Sequence, residues 1–360
     1  MSIFKPETFP VYYNNGVDIV YQACTCCYNI NTSSSVDYFE KKKYIEKRIR
    51  AGHTSILEHA HLALCIAEAP RACISWELTM LSDAFKYLFM KCVENENGTL
   101  NILISGSMRA YRHFAIKAAK DNLLDTLAYK EIMRVLSYYS VDVFFNDLIE
   151  KSIIPDIYKF SEMQYEEFES SEPIETDKVC VLSYITSDQF KEIEDKMFKY
   201  CFQYEDLIQA IPVTILFKNM SRTATHQLVR HRNAITQESQ RYVDYSHAKF
   251  TTPDASYIQN GEDKKFNIFF LGHTSSVTLQ ELGEQICNIY SQLRTQGLNK
   301  EDARAFLPNN VQCSKLYMTF TLSSLRDFLI LRTDKHAQAE IRSYANDIKD
   351  LKLIPESEMF

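Results

Sequence analysis

The segment Arg230-His231-Arg232-Asn-Ala-Ile-Thr-Gln237-Glu-Ser239-Gln-Arg241-Tyr242 gathers three arginines, a histidine, a serine and amide and acid side chains within thirteen residues. Arginine presents a planar fork of donors that meets phosphate or carboxylate in two-pronged contact, and it also lies flat against aromatic rings. An anionic, aromatic ligand such as a nucleotide suits this set; a solvated basic helix end is the other use of it. A second polar group, His53, Glu58, His59 and His61, is rich in metal-ligand types. It lacks the i, i+4 histidine pair of a zinc helix, and His59 and His61 share a face only on a strand, so no metal site is expected. The cluster Cys24, Cys26 and Cys27 crowds a tetrahedral ion and has no nearby histidine, which points to reduced, buried thiols.

The elements that must position these groups fall into two halves of like pattern. HLALCIAEAPRACISWEL from His61 and IPVTILFKNMSRTATHQLVRHR from Ile211 are each a β-rich run passing into a helical pattern. SMRAYRHF from Ser107 faces SSLRDFLILR from Ser323, and AYKEIM from Ala128 faces AQAEIR from Ala337, in the same order. Between them the run from Lys151 to Lys178 is acidic and weakly periodic and reads as a connecting segment. The expected organisation is therefore residues 1–150, a linker at 151–178 and a second unit at 179–360, a duplicated α+β fold with antiparallel sheet packed against long helices. Helices are expected over Asp37–Ala51, Ser276–Gln296 and Ser323–Ile348, with a capping box at Ser55–Glu58. No glycine-rich phosphate loop is present, so a dinucleotide would be held by side chains.

At 360 residues with 46% hydrophobic content the chain has material for two cores. The formal charge of −7 argues against tracking a nucleic-acid backbone, which takes a basic surplus. MSIFKPETFP has no apolar leader core and no stretch reaches eighteen apolar residues, so a soluble cytoplasmic protein is expected.

Gln227-Leu-Val-Arg230-His231-Arg232 followed by Ser239-x-Arg241-Tyr242 resembles the signature of flavin-dependent thymidylate synthases, with six residues instead of seven between Arg232 and Ser239. Gly52-His53-x-Ser55-x-x-Glu58-His59, Ala303-Arg304-x-x-Leu-Pro308, Ser324-Leu-x-x-Phe328-Leu-x-Leu-Arg332 and Ala337-Gln338-x-Glu340-Ile341-Arg342 resemble further elements of that family in order. The resemblance implies reductive methylation of dUMP to dTMP with methylenetetrahydrofolate, FAD and NADPH as reductant. It implies Gln227, Gln237, Ser239, Arg241, Arg304 and Arg332 around dUMP, with Ser55, Arg109, His113, Arg230, His231 and Arg232 around FAD. Arg332 at the uracil edge and His53 near flavin and folate are the implied catalytic residues. The shortened loop keeps open a related uracil-nucleotide C5 methylase or hydroxymethylase, or a relative that binds without catalysing.

The family's equipment is divided between the halves. The Gly-His element stands only in the first, where Thr79-Met80-Leu81 replace Arg-His-Arg; the second keeps Arg230-His231-Arg232 and has Gln203-Tyr204 opposite Gly52-His53. Family members build their sites between subunits of a homotetramer, so the resemblance implies a homodimer acting as a pseudo-tetramer, with no membrane or nucleic-acid polymer as partner.

Overall fold

The computed structural model describes residues 6–27, 36–139, 141–156, 171–246, 249–250, 258–259, 262–263, 265–270, 273–309 and 311–355. The first half runs β1 (Glu7–Tyr13), α1 (Gly16–Cys26), α2 (Tyr38–Arg50), β2 (His61–Pro70), α3 (Arg71–Met80), β3 (Phe89–Glu94), β4 (Thr99–Ser107), α4 (Met108–Lys120), α5 (Leu127–Leu136), α6 (Val141–Phe144) and α7 (Asn146–Glu150). The second opens with β5 (Ile174–Glu175), β6 (Val179–Ser183), α8 (Ser187–Phe198), α9 (Tyr204–Ala210), β7 (Pro212–Ser221), α10 (Arg222–Leu228), β8 (Ala234–Gln237) and β9 (Lys249–Phe250). Hairpins β10 (Ile258–Gln259)–β11 (Glu262–Asp263) and β12 (Lys265–Phe270)–β13 (His273–Thr278) follow. Then come α11 (Leu279–Thr295), α12 (Lys300–Ala303), β14 (Val311–Thr321), α13 (Leu322–Thr333) and α14 (Ala339–Asp350). The class is α+β. Among the described residues no helix is long and apolar enough to cross a membrane.

Local chemistry sets the boundaries. The Asp37 carboxylate accepts from Glu40 N–H and starts α2, while Lys47, Arg48 and Arg50 complement its carboxyl end, as the Asp37–Ala51 pattern predicts. Ser55–Glu58 does not form the expected capping box: Thr54–Glu58 is a short 3-10 turn whose leading residue, His53, makes no side-chain cap. Helix α11 starts at Leu279 under a Thr278–Glu281 capping box, because the residues before it pair with β12. The Ser323–Ile348 run breaks in two, since the Asp334 carboxylate accepts from His336 N–H at 2.8 Å and turns the chain out of α13. Residues 157–170 of the expected linker lie outside the described residues, and Ile174–Glu175 adds an edge strand to the second sheet.

The first sheet has the order β1-β2-β4-β3 and the second carries β6-β7-β14-β8 along its path, all antiparallel. Side chains alternate across strands, so each sheet has two faces to cover. On β2, Leu62, Leu64 and Ile66 pack with Tyr111, Phe114 and Ile132 of α4 and α5. The intervening Ala63, Cys65 and Ala67, with Leu103 of β4, join Phe190, Leu207 and Ile208 of α8 and α9 from the second half. The second sheet returns the arrangement: Leu316, Met318 and Phe320 pack with Leu325, Phe328 and Ile341 of α13 and α14, while Tyr317 packs with Ala23 and Cys26 of α1 from the first half. Each half thus covers one face of the other's sheet.

Two hydrogen bonds at matching places tie the exchange. Ser105, two residues before the helix-starting Ser107, donates to the Ala210 carbonyl at 2.5 Å, just ahead of β7. Thr319, two residues before the helix-starting Thr321, meets His59 Nδ1 at 2.9 Å, just ahead of β2. The other His59 nitrogen meets Thr236 of β8, also at 2.9 Å, so a fully buried ring from the first half is bolted between two threonines of the second. Both ring nitrogens being engaged, His59 is a core histidine and offers nothing to a metal.

Candidate functional site

The elements bring the motif residues into three groups. The first is a cavity of about 680 Å³ between the halves. Arg109 and His113 reach it from α4, and Arg232, Asn233 and Ala234 from the other half, with Thr319 and Thr321 at its floor. Arg232 sits there because it adopts left-handed backbone (φ 54°, ψ 32°), which turns the chain from the short helix at Val229–His231 into β8. Left-handed geometry is uncommon outside glycine, so the surrounding structure must hold it. Arg109 is paired with the carboxylate of Glu58, the residue expected to cap a helix. Tyr87 meets His113 edge-on at 4.7 Å and, with Phe89, gives the cavity an aromatic wall. Two guanidiniums facing an aromatic wall fit a cofactor that joins a flat ring to phosphates.

The second group centres on Arg332 near the end of α13. Its Nε donates to His231 Nε2 at 2.9 Å, Nη1 to the Gln227 side-chain oxygen at 3.2 Å and Nη2 to the Gln227 carbonyl at 3.4 Å. Gln227 donates in turn to the Gln338 side-chain oxygen at 3.2 Å. Burial, with the Arg332 charge beside it, lowers the His231 imidazole below its ordinary range; burial and Arg230 lower Arg332. Phe328 holds the other side of the His231 ring edge-on at 5.1 Å.

The third group lines a pocket of about 400 Å³ with Gln237, Ser239 and Arg304, as the motif reading expects, and also with Arg222, His226 and Asn309, which that reading misses. The visible signal for Arg222 was the Ser-Arg-Thr that ends the β7 pattern, but nothing in the spacing says that a residue at the start of α10 meets the loop after β8. Other expected residues are not gathered. His53 and Ser55 lie exposed on the turn before β2, Arg230 is exposed, and exposed Arg241 is held by Glu301 at 2.7 Å. Cys24, Cys26 and Cys27 ride on or just after α1 as free thiols; burial pushes Cys24 up to about 11 and raises the other two.

The sequence profile of the family described as thymidylate synthase complementing protein matches residues 11–78 and 155–355, well over half of the chain. This chain belongs to that family. Among its relatives, the flavin-dependent thymidylate synthase of Nitratidesulfovibrio vulgaris is 33% identical over 156 residues, 41% of this chain and 60% of that protein. Those of Pyrococcus abyssi and Corynebacterium efficiens are 32% and 31% identical over 149 and 146 residues, covering 40% and 39% of this chain. The matched stretches span 55% and 56% of those two proteins.

Proposed function

We propose that this chain is a flavin-dependent thymidylate synthase, which methylates dUMP to dTMP with methylenetetrahydrofolate as carbon donor, FAD as cofactor and NADPH as reductant. The observation that carries the reading is the Arg332–His231–Gln227 constellation, in which acceptors on both sides fix a guanidinium within the family's most specific motif. A donor fork fixed in advance stabilises negative charge as it develops on the oxygens of a uracil ring, without reorganising during the reaction. Arg332 has that role here, and Gln227 and His231 orient it. The pocket at Ser239 and Arg304 takes the nucleotide phosphate. Arg109, His113 and Arg232 hold FAD in the cavity between the halves, while Ser55, Arg230 and His53, outside its lining, reach a flavin only across a homodimer. Bound there, the flavin supplies the electrons that reduce the transferred carbon to a methyl group. Ring activation rests on charge stabilisation by Arg332, and no cysteine is among the described residues lining the two pockets.

The same reading takes 1–150 and 179–360 as copies of one ancestral unit joined by 151–178. The like strand orders and the reciprocal Ser105–Ala210 and Thr319–His59 bonds support it. That Arg332, Arg304 and His53 do not line one common pocket supports completion of each site across a homodimer. Incubating purified protein with dUMP, methylenetetrahydrofolate, FAD and NADPH and analysing the nucleotide by mass spectrometry tests the activity. The expected product is dTMP; a hydroxymethyl product, or none with flavin bound, would overturn it.

A further inference from the structure

The pocket beside Ser239 draws one of its guanidiniums from outside every motif. We propose that Arg222, together with Arg304, holds the phosphate monoester of the substrate, in the position the motif reading gives to Arg241. The inference deepens the proposed function and rests on it only for the identity of the nucleoside.

Arg222 opens α10 and reaches across to the following loop, where its Nη2 donates to the Glu238 carbonyl at 2.9 Å. Its Nε is a buried donor with no acceptor among the described residues, and so is Nε2 of Gln237 in the same wall. A buried donor without a partner is costly, and an entering anion brings the acceptors both lack. Arg304 faces the pocket with its Nε on the Glu301 carbonyl at 3.1 Å. The acid in the lining, Glu238, turns its carboxylate onto the Tyr245 hydroxyl at 2.6 Å and is raised by burial, so it does not oppose an anion.

Arg241 is displaced for a reason visible in the backbone. Pairing of Ala234–Gln237 with β14 fixes the loop up to Ser239. Tyr242 N–H and Val243 N–H then both donate to the Ser239 carbonyl, a tight turn that carries Arg241 outside the pocket lining and onto Glu301. The loop before this turn is the one shortened by a residue, and Arg222 restores the second charge from the opposite wall.

Binding of dUMP, inorganic phosphate and deoxyuridine to the full chain, measured by calorimetry, tests the assignment. Arg222→Ala should weaken dUMP and phosphate binding on the order of tenfold to a hundredfold, the effect of losing a charge-assisted contact. Arg222→Gln, which keeps a polar side chain without the charge, should show the same loss if the alanine variant folds poorly, while Arg241→Ala should change binding by less than about threefold. Unchanged dUMP affinity in a folded Arg222→Gln protein would overturn the inference, and so would parental binding of deoxyuridine as tight as that of dUMP. Phosphate binding that needs Arg222 in a protein that does not turn dUMP over would support the anion site while removing the proposed reaction.

Discussion

Arg332 donates from Nε to Nε2 of His231, and a nitrogen that accepts this bond carries no proton. His231 is therefore neutral with its hydrogen on Nδ1, as burial and the adjacent guanidinium both favour. The motif histidine acts here as an acceptor that aims an arginine. Nη1 and Nη2 of Arg332 each donate once to Gln227, contacts that a nucleotide base exchanges on binding.

Replacing Arg332 with alanine should remove turnover and leave flavin bound, because the proposed role of the guanidinium is at the uracil. Loss of one preorganised charge contact should raise the barrier by about 2.7–4 kcal/mol. Parental turnover, or a folded protein without flavin, would sink the assignment.

Arg109 and Arg232 enter one cavity from opposite halves, so each single alanine variant should lower flavin affinity, by about 1.5–3 kcal/mol per charge-assisted contact. Flavin absorbance retained after gel filtration reads this directly. If only Arg232→Ala loses flavin, the first half does not contribute to the site.

His53→Ala should damage catalysis as severely as His231→Ala even though His53 is exposed in one chain, provided a second copy completes the site. A surface substitution without such a role alters stability by about 0.5 kcal/mol or less. Single-turnover flavin oxidation by dUMP and methylenetetrahydrofolate, on variants of parental size by sedimentation, separates the cases; a near-parental rate for His53→Ala would refute the composite site.

Acid should loosen the junction between the halves. Burial lowers His59 to about 3 and His61 to about 4, whereas both titrate near 6.5 once unfolded. Between those values the unfolded chain binds more protons, so the stability held by the neutral rings is complete above about pH 6.5 and is lost as pH falls. Each ring can contribute a slope of up to about 1.4 kcal/mol per pH unit. Urea midpoints at successive pH values should fall from pH 7 towards 4.5, and His59→Gln should flatten the curve; identical slopes for parent and variant would contradict this.

What the sequence made legible was local. Helix α2 and its Asp37 cap follow from an acceptor next to a periodic run, and the strand-then-helix passages at His61 and Ile211 follow from β-rich runs with turn chemistry at their ends. The Ser55–Glu58 box failed because Glu58 meets Arg109, a partner supplied by α4. The core role of His59 was not legible, because its two threonines, Thr236 and Thr319, come from strands whose register no local pattern gives. The place of Arg222 beside Glu238 escapes a local pattern for the same reason, and a motif that records residue types does not give the turn that sets Arg241 against Glu301.

The exchanged helices also constrain how the chain is made. While the first half is complete and the second is still being synthesised, Ala63, Cys65, Ala67 and Leu103 have no cover, since Phe190, Leu207 and Ile208 lie far downstream. Such an uncovered sheet face is the kind of surface that invites aggregation during synthesis. The mirror-image gap persists in any C-terminal fragment, which would lack α1 and the His59 bolt. Folding is thereby committed to a late, long-range closure, and a gene cut between the halves should give two insoluble products that dissolve only when made together.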